Sequence, residues 1–297
     1  MNSVVCTLVR RLLFGVILVF GAVSAAGAAD SDGVFADTSR IASIGGSLTE
    51  IVYALGQQEH LVARDSTSLY PEEALKLPDV GYMRQLSPEG VLSVSPSGIL
   101  ALQGSGPKEA VEVLKKASVP YVEVPETFDH EGILSKIRAV GKAFGVEDEA
   151  AALAAEVDAR LKAAEQLTAA VERRKRVLFI LSMQGGKILA SGSGTAADGI
   201  IRLAGGVNAV EGYTGYKQLS DEAAVTAAPD VILMMNGGGV SVSDEDLFAN
   251  AAILQTPAGA AHKVIRMDGG YLLGFGPRTA DAVHDLAVTL YGAGIGQ

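Results

Sequence analysis

The sequence predicts an α/β fold in which two βα lobes are joined by one long α-helix. Short apolar strands alternate with helical segments on both sides of a stretch, 147–175, that contains neither glycine nor proline. The segment 85–102 recurs 133 positions later, at 218–235, with identical residues at 7 of 18 positions. Such alternation is typical of a mostly parallel sheet covered on both faces. We therefore predict two Rossmann-like lobes of one plan with a ligand cleft between them.

The chain divides into four predicted segments. They are a signal peptide over 1–28, an N-terminal α/β lobe over 29–146, a connecting long helix over 147–175 and a C-terminal α/β lobe over 176–297. At 1.5 Å per residue the connecting helix would be about 40 Å long. It could be a strut between the lobes or a coiled-coil dimer helix, and its mostly small alanine positions favour the strut.

The first 28 residues have the pattern of an export signal. Arg10-Arg11 precede an apolar run from Leu12 to Val23, and Ala26-Gly27-Ala28 supplies the small-x-small pattern of a signal peptidase site. The run is shorter than the roughly 20 residues that span a bilayer. We predict cleavage near Ala28 and a periplasmic protein that is not embedded in a membrane.

The composition excludes several classes of site. Cys6 is the only cysteine and lies inside the signal, so disulfides, cysteine-ligated zinc and a lipoprotein anchor are excluded from the mature chain. Loss of Arg10 and Arg11 leaves 22 basic against 34 acidic residues, a balance that repels nucleic acid. The densest basic run, 173–176, is interpreted as cations at the C-terminus of the long helix.

The predicted elements of the first lobe follow the order strand, helix, strand. Ser47-Leu48-Thr49-Glu50 has a capping-box pattern that opens the first helix. Ser87 as N-cap, Pro88 and Glu89 form a second helix start. The predicted strands are 40–44, 61–64, 99–102 and 121–124, and the helices are 47–55, 88–95, 107–117 and 129–144, with a loop at 78–85.

The second lobe repeats this order. Gly192-Ser193-Gly194-Thr195, between a strand and a helix, mirrors Gly45-Gly46-Ser47. Its predicted strands include 177–181, 231–235 and 264–267, and its helices are 195–203, 220–227 and 277–290.

The repeated loops are the candidate ligand site, because open α/β sheets bind ligands beyond the carboxyl ends of their strands. The repeat places the loop 81–84 opposite the loop 212–217. A phenolate such as that of Tyr82 is a hard oxygen ligand for ferric iron, and tyrosine is one axial ligand of haem. Arg84, two residues on, would favour the phenolate by its charge. The alternative is that Tyr82 and Arg84 are ordinary surface residues.

Other chemistries have weaker support. Gly45-Gly46-Ser47 could cradle a phosphate, but the P-loop lysine is missing, which favours a tight strand-to-helix turn. The four histidines, at 60, 130, 262 and 284, are scattered and show no zinc-binding spacing. No G-x-S-x-G motif supplies a nucleophile, so an enzyme is not expected.

The sequence resembles a known family, the bacterial periplasmic haem-binding proteins. These are the substrate-binding components of haem ABC transporters. The likeness covers nearly the whole mature chain. It is carried by VGYMRQLSPEGVLSVSP, GGSLTEIVYALG, SGSGTAADGIIRLAGG and GFGPRTADAV. Tyr-x-Arg is its specific part, and the other strings are typical of the wider class that binds siderophores, cobalamin and haem.

The resemblance implies particular roles for four residues. Tyr82 would be the axial ligand of haem iron with Arg84 beside it. Glu89 and Glu222, one on each lobe, would dock to arginines of an inner-membrane ABC permease, although a plain helix-dipole role is the alternative. The expected protein is a monomeric periplasmic receptor that captures haem and is not an enzyme.

Several alternatives remain open. A ferric siderophore or cobalamin receptor of the same class is the nearest, and the absence of Trp counts mildly against it. An exported α/β enzyme and a dimeric structural protein are the others. No histidine lies between His130 and His262, so most of the second lobe offers no histidine as an axial ligand. Whether a second residue, with Tyr213 or Tyr216 as candidates, or a second haem completes the coordination stays open.

Overall fold

Two β-sheets, one in each predicted lobe, organise the chain. A computed structural model describes residues 33–236 and 242–296. The predicted signal peptide and Cys6 lie outside the described residues. In the described part of the chain, no helix combines the length and the apolar character needed to cross a membrane.

The elements of the first half and the long helix agree in order with the prediction. Two short 3-10 helices lie at Gln58–His60 and Glu72–Lys76. The strands and helices are β1 (Ile41–Ile44), α1 (Gly46–Ala54), β2 (Leu61–Arg64), α2 (Pro88–Leu92), β3 (Gly98–Leu102), α3 (Lys108–Lys116), β4 (Tyr121–Val124), α4 (His130–Phe144) and α5 (Glu147–Leu167).

The second half has more elements than predicted. They are β5 (Arg176–Gln184), β6 (Lys187–Ser191), α6 (Ala196–Leu203), β7 (Val207–Asn208), β8 (Tyr216–Leu219), α7 (Asp221–Ala227), β9 (Val231–Asn236), α8 (Asp244–Ala249), α9 (Ala251–Leu254), α10 (Pro257–Ala260), β10 (Val264–Asp268), α11 (Gly269–Leu273) and α12 (Thr279–Tyr291).

The first sheet is entirely parallel. Its strand order is β2-β1-β3-β4, and every neighbouring pair runs in the same direction. All residues of β1 and β3 are buried, as expected for strands covered on both faces. The loops that follow the four strands therefore meet at one edge of the sheet, where the 78–87 loop also lies. This part of the predicted fold is confirmed.

Among the described residues, three of the five strand pairings in the second sheet are parallel, as predicted, and the other two are antiparallel, which was not predicted. β10, β9, β5 and β7 pair in parallel, whereas β6 pairs antiparallel with β5 and with β8. Gly185 and Gly186 both have positive φ, which allows the tight turn between β5 and β6. Gly-Gly between two apolar runs is a hairpin signal that the sequence interpretation passed over. The predicted loop 212–217 is also wrong at its end, because Tyr216 begins β8.

The long helix α5 begins at Glu147 as predicted but ends at Leu167, eight residues before Lys175. The Thr168 side chain is buried and its hydroxyl donates to the carbonyl of Glu165. The buried positions of α5 form one stripe that packs against α4 of the first lobe and α12 of the second: Ala150, Ala154, Val157, Leu161 and Ala164. The helix thus contacts both lobes within one chain.

The basic run 173–176 lies beyond α5, so the prediction that it ends the long helix was wrong. The predicted contact between cations and a helix C-terminus is found at other helices. Arg174 donates to the carbonyl of Gly205, just after α6. Arg176 donates to the carbonyl of Ala227, the last residue of α7, and to that of Ala209. The two arginines therefore satisfy carbonyls at the C-termini of second-lobe helices, where cations also complement the helix dipole.

Candidate ligand-binding site

Tyr82 occupies a backbone turn at the edge of the first sheet. The N–H of Gln85 donates to the carbonyl of Tyr82 at 2.8 Å, which closes the turn. Gly81, with φ near 102°, allows the chain to enter it. The Tyr82 side chain is 42% exposed, whereas that of Met83 is buried beneath it. The turn therefore presents the phenol to solvent.

Backbone hydrogen bonds hold this turn from two sides. The N–H of Gly106 donates to the carbonyl of Met83 at 2.9 Å, and the N–H of Leu86 donates to the carbonyl of Gly106 at 2.7 Å. On the other side, the N–H of Ser66 donates to the carbonyl of Gly81 at 2.9 Å. The position of Tyr82 is thus fixed by the loops that follow β2 and β3.

Asp65, which the sequence analysis did not single out, anchors one of those loops. It is fully buried and accepts four hydrogen bonds, from the N–H of Gly45, the N–H and hydroxyl of Thr67 and the hydroxyl of Ser68, at 2.7 to 3.0 Å. Asp followed by Ser and Thr directly after a strand is a side-chain-to-backbone turn signal that could have revealed it. Asp65 ties the Tyr82 turn to the start of α1.

Arg84 lies at the same turn with an exposed side chain. One guanidinium nitrogen is 3.9 Å from where a Cβ on Gly104 would lie, so the side chain runs beside the loop after β3. Its charge lowers the pKa of Glu126, against the larger effect of burial. Within the described residues the guanidinium makes no hydrogen bond or ion pair, so its five N–H groups remain available to a ligand.

A buried ion pair lies behind Arg84. The Lys136 ammonium, 1% exposed, donates to the Glu126 carboxylate at 2.6 Å. It also donates to the Ser47 hydroxyl at 3.2 Å and to the carbonyl of Phe275 at 3.0 Å. Burial lowers the pKa of Lys136 and raises that of Glu126, while each charge opposes the shift of the other. Because Phe275 belongs to the second lobe, Lys136 also joins the lobes.

The predicted capping box at the start of α1 is not formed. Gly45 is the N-cap and no side chain caps the helix. Ser47 instead accepts from Lys136, and Thr49 bonds to Ser43 and Ser68. Glu50 accepts from the backbone N–H and the guanidinium of Arg278, all at 2.9 Å. These side chains are buried against the second lobe and a neighbouring loop, so tertiary partners replace the local cap.

Of the two tyrosines proposed for the second lobe, Tyr216 is the one whose pKa responds to the charge of Arg84. It is 36% exposed and pairs with Ser191, the last residue of β6. Burial raises the pKa of its phenol, while the Thr195 side chain, the N–H of Ala197 and the charge of Arg84 oppose that shift. The phenol therefore lies at the start of α6, within the field of a first-lobe cation.

Tyr213 has a packing role instead. Its hydroxyl donates to the carbonyl of Ala190 at 3.3 Å, and its ring lies so close to Gly192 that a Cβ there would be 2.5 Å away. Lys217 covers the ring, with its ammonium 5.4 Å from the ring centroid. The hydroxyl and the ring of Tyr213, the groups with which it could bind a ligand, therefore already have partners within the second lobe.

Glu89 and Glu222 occupy equivalent positions, as the repeat predicts. Each is exposed in the first turn of a short helix, α2 or α7. Ser87 accepts from the N–H of Gly90 at 3.3 Å, and Ser220 accepts from the N–H of Ala223 at 3.2 Å. The backbone N–H of Glu222 and the Ser220 side chain lower the pKa of Glu222. Their predicted docking role stays a prediction.

The four histidines have other partners. His130 lies between Asp158 and Glu165 of α5, with nitrogen-to-oxygen distances of 2.9 and 3.1 Å. His60 contacts the ring of Phe144, His262 contacts that of Phe248, and His284 lies beside Asp285. Tyr82, Arg84 and Tyr216 thus stay the candidate ligand contacts predicted from the sequence.

Comparison with solved structures finds close matches to haem-binding proteins. The periplasmic heme-binding protein BhuT, in complex with two hemes, is 40% identical with a TM-score of 0.79, over 84% of this chain and 97% of that one. The periplasmic heme-binding protein RhuT from Roseiflexus sp. RS-1 is 35% identical with a TM-score of 0.80, over 86% and 98%.

Sequence comparisons find a wider set of relatives. Residues 41–271 match the family model described as periplasmic binding protein. An uncharacterized ABC transporter substrate-binding lipoprotein of Bacillus subtilis, YvrC, is 27% identical over 86% of this chain and 81% of its own length. The vitamin B12-binding protein of Vibrio campbellii is 25% identical over 76% and 78%.

Proposed function

Since the chain belongs to the periplasmic binding protein family, we propose that it is a periplasmic receptor that captures haem between its lobes and delivers it to an inner-membrane ABC permease. The observation that carries the proposal is the Tyr82 turn. It offers an exposed phenol on a fixed backbone, with the uncommitted guanidinium of Arg84 two residues away. The likeness to the heme-binding protein BhuT supports haem as the ligand.

The chemistry of ligation follows from charge. A free tyrosine has a pKa of about 10 and is protonated at neutral pH. Ferric iron is a hard cation that prefers anionic oxygen, so its binding promotes release of the phenolic proton. In this proposal Tyr82 is the axial ligand, and Arg84 lies beside it.

Cobalamin is the second candidate ligand, because the chain is also similar to a vitamin B12-binding protein. Cobalamin contains cobalt within a corrin, so it offers no ferric iron for the phenolate of Tyr82 to bind. The Tyr82–Arg84 pair therefore favours haem. A ferric siderophore remains compatible with the class but leaves the turn's exposed phenol unused, since siderophores supply the oxygen ligands themselves.

The test is a titration of the mature protein with haemin, followed by absorption spectroscopy. The wild type should show the charge-transfer band of a high-spin ferric tyrosinate, and Tyr82→Phe should lose it. Tyr70→Phe is the matched control, because Tyr70 is also exposed on a nearby loop and should keep the wild-type spectrum. A wild type that binds cyanocobalamin but shows no tyrosinate band would contradict the proposal.

Docking to the permease is the second step, and it rests on the exposed Glu89 and Glu222 of the two lobes. The double variant Glu89→Lys/Glu222→Lys should keep the haemin spectrum yet lose haem delivery to cells that depend on this receptor. Glu149→Lys reverses another exposed first-turn charge, on α5, and should leave delivery unchanged. Normal delivery by the double variant would remove the docking role and leave haem capture intact.

A further inference from the structure

A cavity lies where the first lobe meets helix α6 of the second lobe. Its volume is about 370 Å³, within the roughly 300 to 1,000 Å³ that is typical of small-molecule sites. Phe128 and Asp129, at the start of α4, line one side, and Arg202 and Leu203 of α6 line the other. The end of α5 closes the space between them. The lining thus comes from other residues than the Tyr82 turn.

The two lobes are in direct contact along this cavity. A Cβ at Gly199 of α6 would lie 2.4 Å from the carbonyl oxygen of Phe128, so α6 approaches the first lobe closely. The Phe128 ring packs edge-on against that of Phe275, with 5.2 Å between the ring centroids. Thr168, which also lines the cavity, is buried. Contacts between the lobes therefore form the wall of the cavity without a ligand.

Two guanidinium groups, those of Arg174 and Arg202, line the cavity. Within the described residues, Arg174 makes one hydrogen bond, to the carbonyl of Gly205 at 3.1 Å. Arg202 makes long contacts with Asp198, at 3.4 Å to its carbonyl oxygen and 3.5 Å to its carboxylate. A guanidinium carries five N–H donors in a planar fork that suits a carboxylate. Most donors of the two arginines are therefore available to a ligand.

Two carboxylates, those of Asp129 and Glu165, line the same cavity. One oxygen of Asp129 accepts from the N–H of Gly132 at 2.7 Å, and one oxygen of Glu165 lies 3.1 Å from Nδ1 of His130. In the part of the chain that the structure describes, the second oxygen of each carboxylate makes no hydrogen bond. The carboxylates would repel a simple anion, and the arginines would repel a simple cation. A ligand that carries both charges fits the lining better than either.

We propose that this cavity binds a small zwitterion of the α-amino acid class. Its carboxylate would bind Arg174 and Arg202, and its ammonium group would bind Asp129 and Glu165. A short apolar side chain would pack against the apolar part of the wall. The bound molecule would join the first lobe to α6. The site is separate from haem capture and does not rest on it.

The experiment titrates ¹⁵N-labelled mature protein with three probes. They are L-valine, N-acetyl-L-valine, which lacks the positive charge, and L-valinamide, which lacks the negative charge. L-valine should shift the amide NMR signals of Thr168, Gly199 and Leu203. It should bind roughly tenfold or more tightly than either analogue, as expected for the loss of a hydrogen bond to a charged group. Equal affinity for L-valine and N-acetyl-L-valine, shifts confined to other residues, or no binding would each overturn the proposal.

Two variants assign the charges to their partners. Arg202→Met should weaken L-valine binding by about tenfold and reduce its advantage over L-valinamide. Asp129→Asn keeps the cap of α4, because Asn is also a good N-cap, and should reduce the advantage of L-valine over N-acetyl-L-valine. Arg138→Met breaks an exposed pair with Glu131 outside the cavity and should leave binding unchanged. Affinities for the three probes that stay unchanged in Arg202→Met and Asp129→Asn would overturn the site.

Discussion

Lys136 and Glu126 show how a single ion pair can belong to both the fold and the site. Lys136 is fully enclosed and bonds to Ser47, Glu126 and the carbonyl of Phe275. A buried ion pair contributes little net stability, but removal of one partner leaves an unpaired charge in a medium that solvates it poorly. The pair therefore constrains the position of the Glu126 carboxylate, whose charge interacts with that of Arg84.

Glu126→Gln should destabilise the protein in a pH-dependent way. At pH 7 we expect a loss of about 3 to 5 kcal/mol in the free energy of unfolding, because Lys136 loses its counter-charge. Burial lowers the pKa of Lys136 in the folded chain below the unfolded value of about 10.4, so the unfolded chain binds more protons below that pH. Stability of the variant should consequently rise as the pH increases from 7 toward 10.

Urea unfolding at several pH values measures this effect. Glu126→Gln/Lys136→Met removes both charges, so the difference in slope between it and Glu126→Gln isolates the titration of Lys136. Glu123→Gln is the control, since Glu123 forms an exposed pair with Lys115 and should lose at most about 1 kcal/mol. Parallel pH profiles for the single and double variants would show that Lys136 is not perturbed by burial.

The elements of the first lobe were predictable because each carries its own signal. α4 is N-capped by Asp129 and ends at Gly145 in the left-handed region, and both residues mark those boundaries in the sequence. β3 is a run of buried apolar residues that follows Pro96. Where local signals and tertiary partners agree, the sequence suffices.

The elements that were missed depend on distant partners. β8 contains Lys217 and Gln218, which have no apolar alternation, and it is a strand because it pairs with β6. Ser47 and Glu50 form a local cap pattern, but contacts with Lys136 and Arg278 replace it. In the candidate site, the same principle applies: Tyr82 and Arg84 are predicted from the repeated loop, whereas the packing contacts of Tyr213 become visible only in the fold.

The junction between α5 and α6 should be sensitive to a single methyl group. Gly205 has φ near 77°, and a Cβ there would lie 2.2 Å from the hydroxyl of Thr168. Gly205→Ala therefore combines backbone strain of about 1 to 2 kcal/mol with an overpacking cost of roughly 1 to 3 kcal/mol. We expect a marked fall in the melting temperature, measured by circular dichroism.

Gly145→Ala is the matched control for this junction. Gly145 also follows a helix with φ near 68°, but nothing lies within 4 Å of a Cβ at that position. The control should show the strain without the collision and so lose less stability than Gly205→Ala. Equal losses of stability in the two variants would mean that the Thr168 side chain moves aside without cost and does not set the end of the long helix.

Polar contacts tie the two lobes of the molecule together. Glu50 of α1 pairs with Arg278, which precedes α12, and the Arg278 guanidinium lies 3.5 Å above the ring of Tyr70. Lys136 reaches the carbonyl of Phe275 in the same region. The helix α5 packs against elements of both lobes. Hinge motion would have to break several of these contacts together.

Ligand binding should therefore change the shape of the molecule little. We expect the radius of gyration from small-angle X-ray scattering to be the same, within error, for the mature wild type with and without haemin. The Glu50–Arg278 pair acts as a clamp between the lobes, and Arg278→Met removes it. The lobes should then separate further without ligand, and amide hydrogen exchange should rise at the starts of α1 and α12. Arg160→Met breaks the surface pair with Asp281 near the start of α12 and should affect neither measurement. A large compaction of the wild type on binding haemin would show that the clamp opens in the free protein.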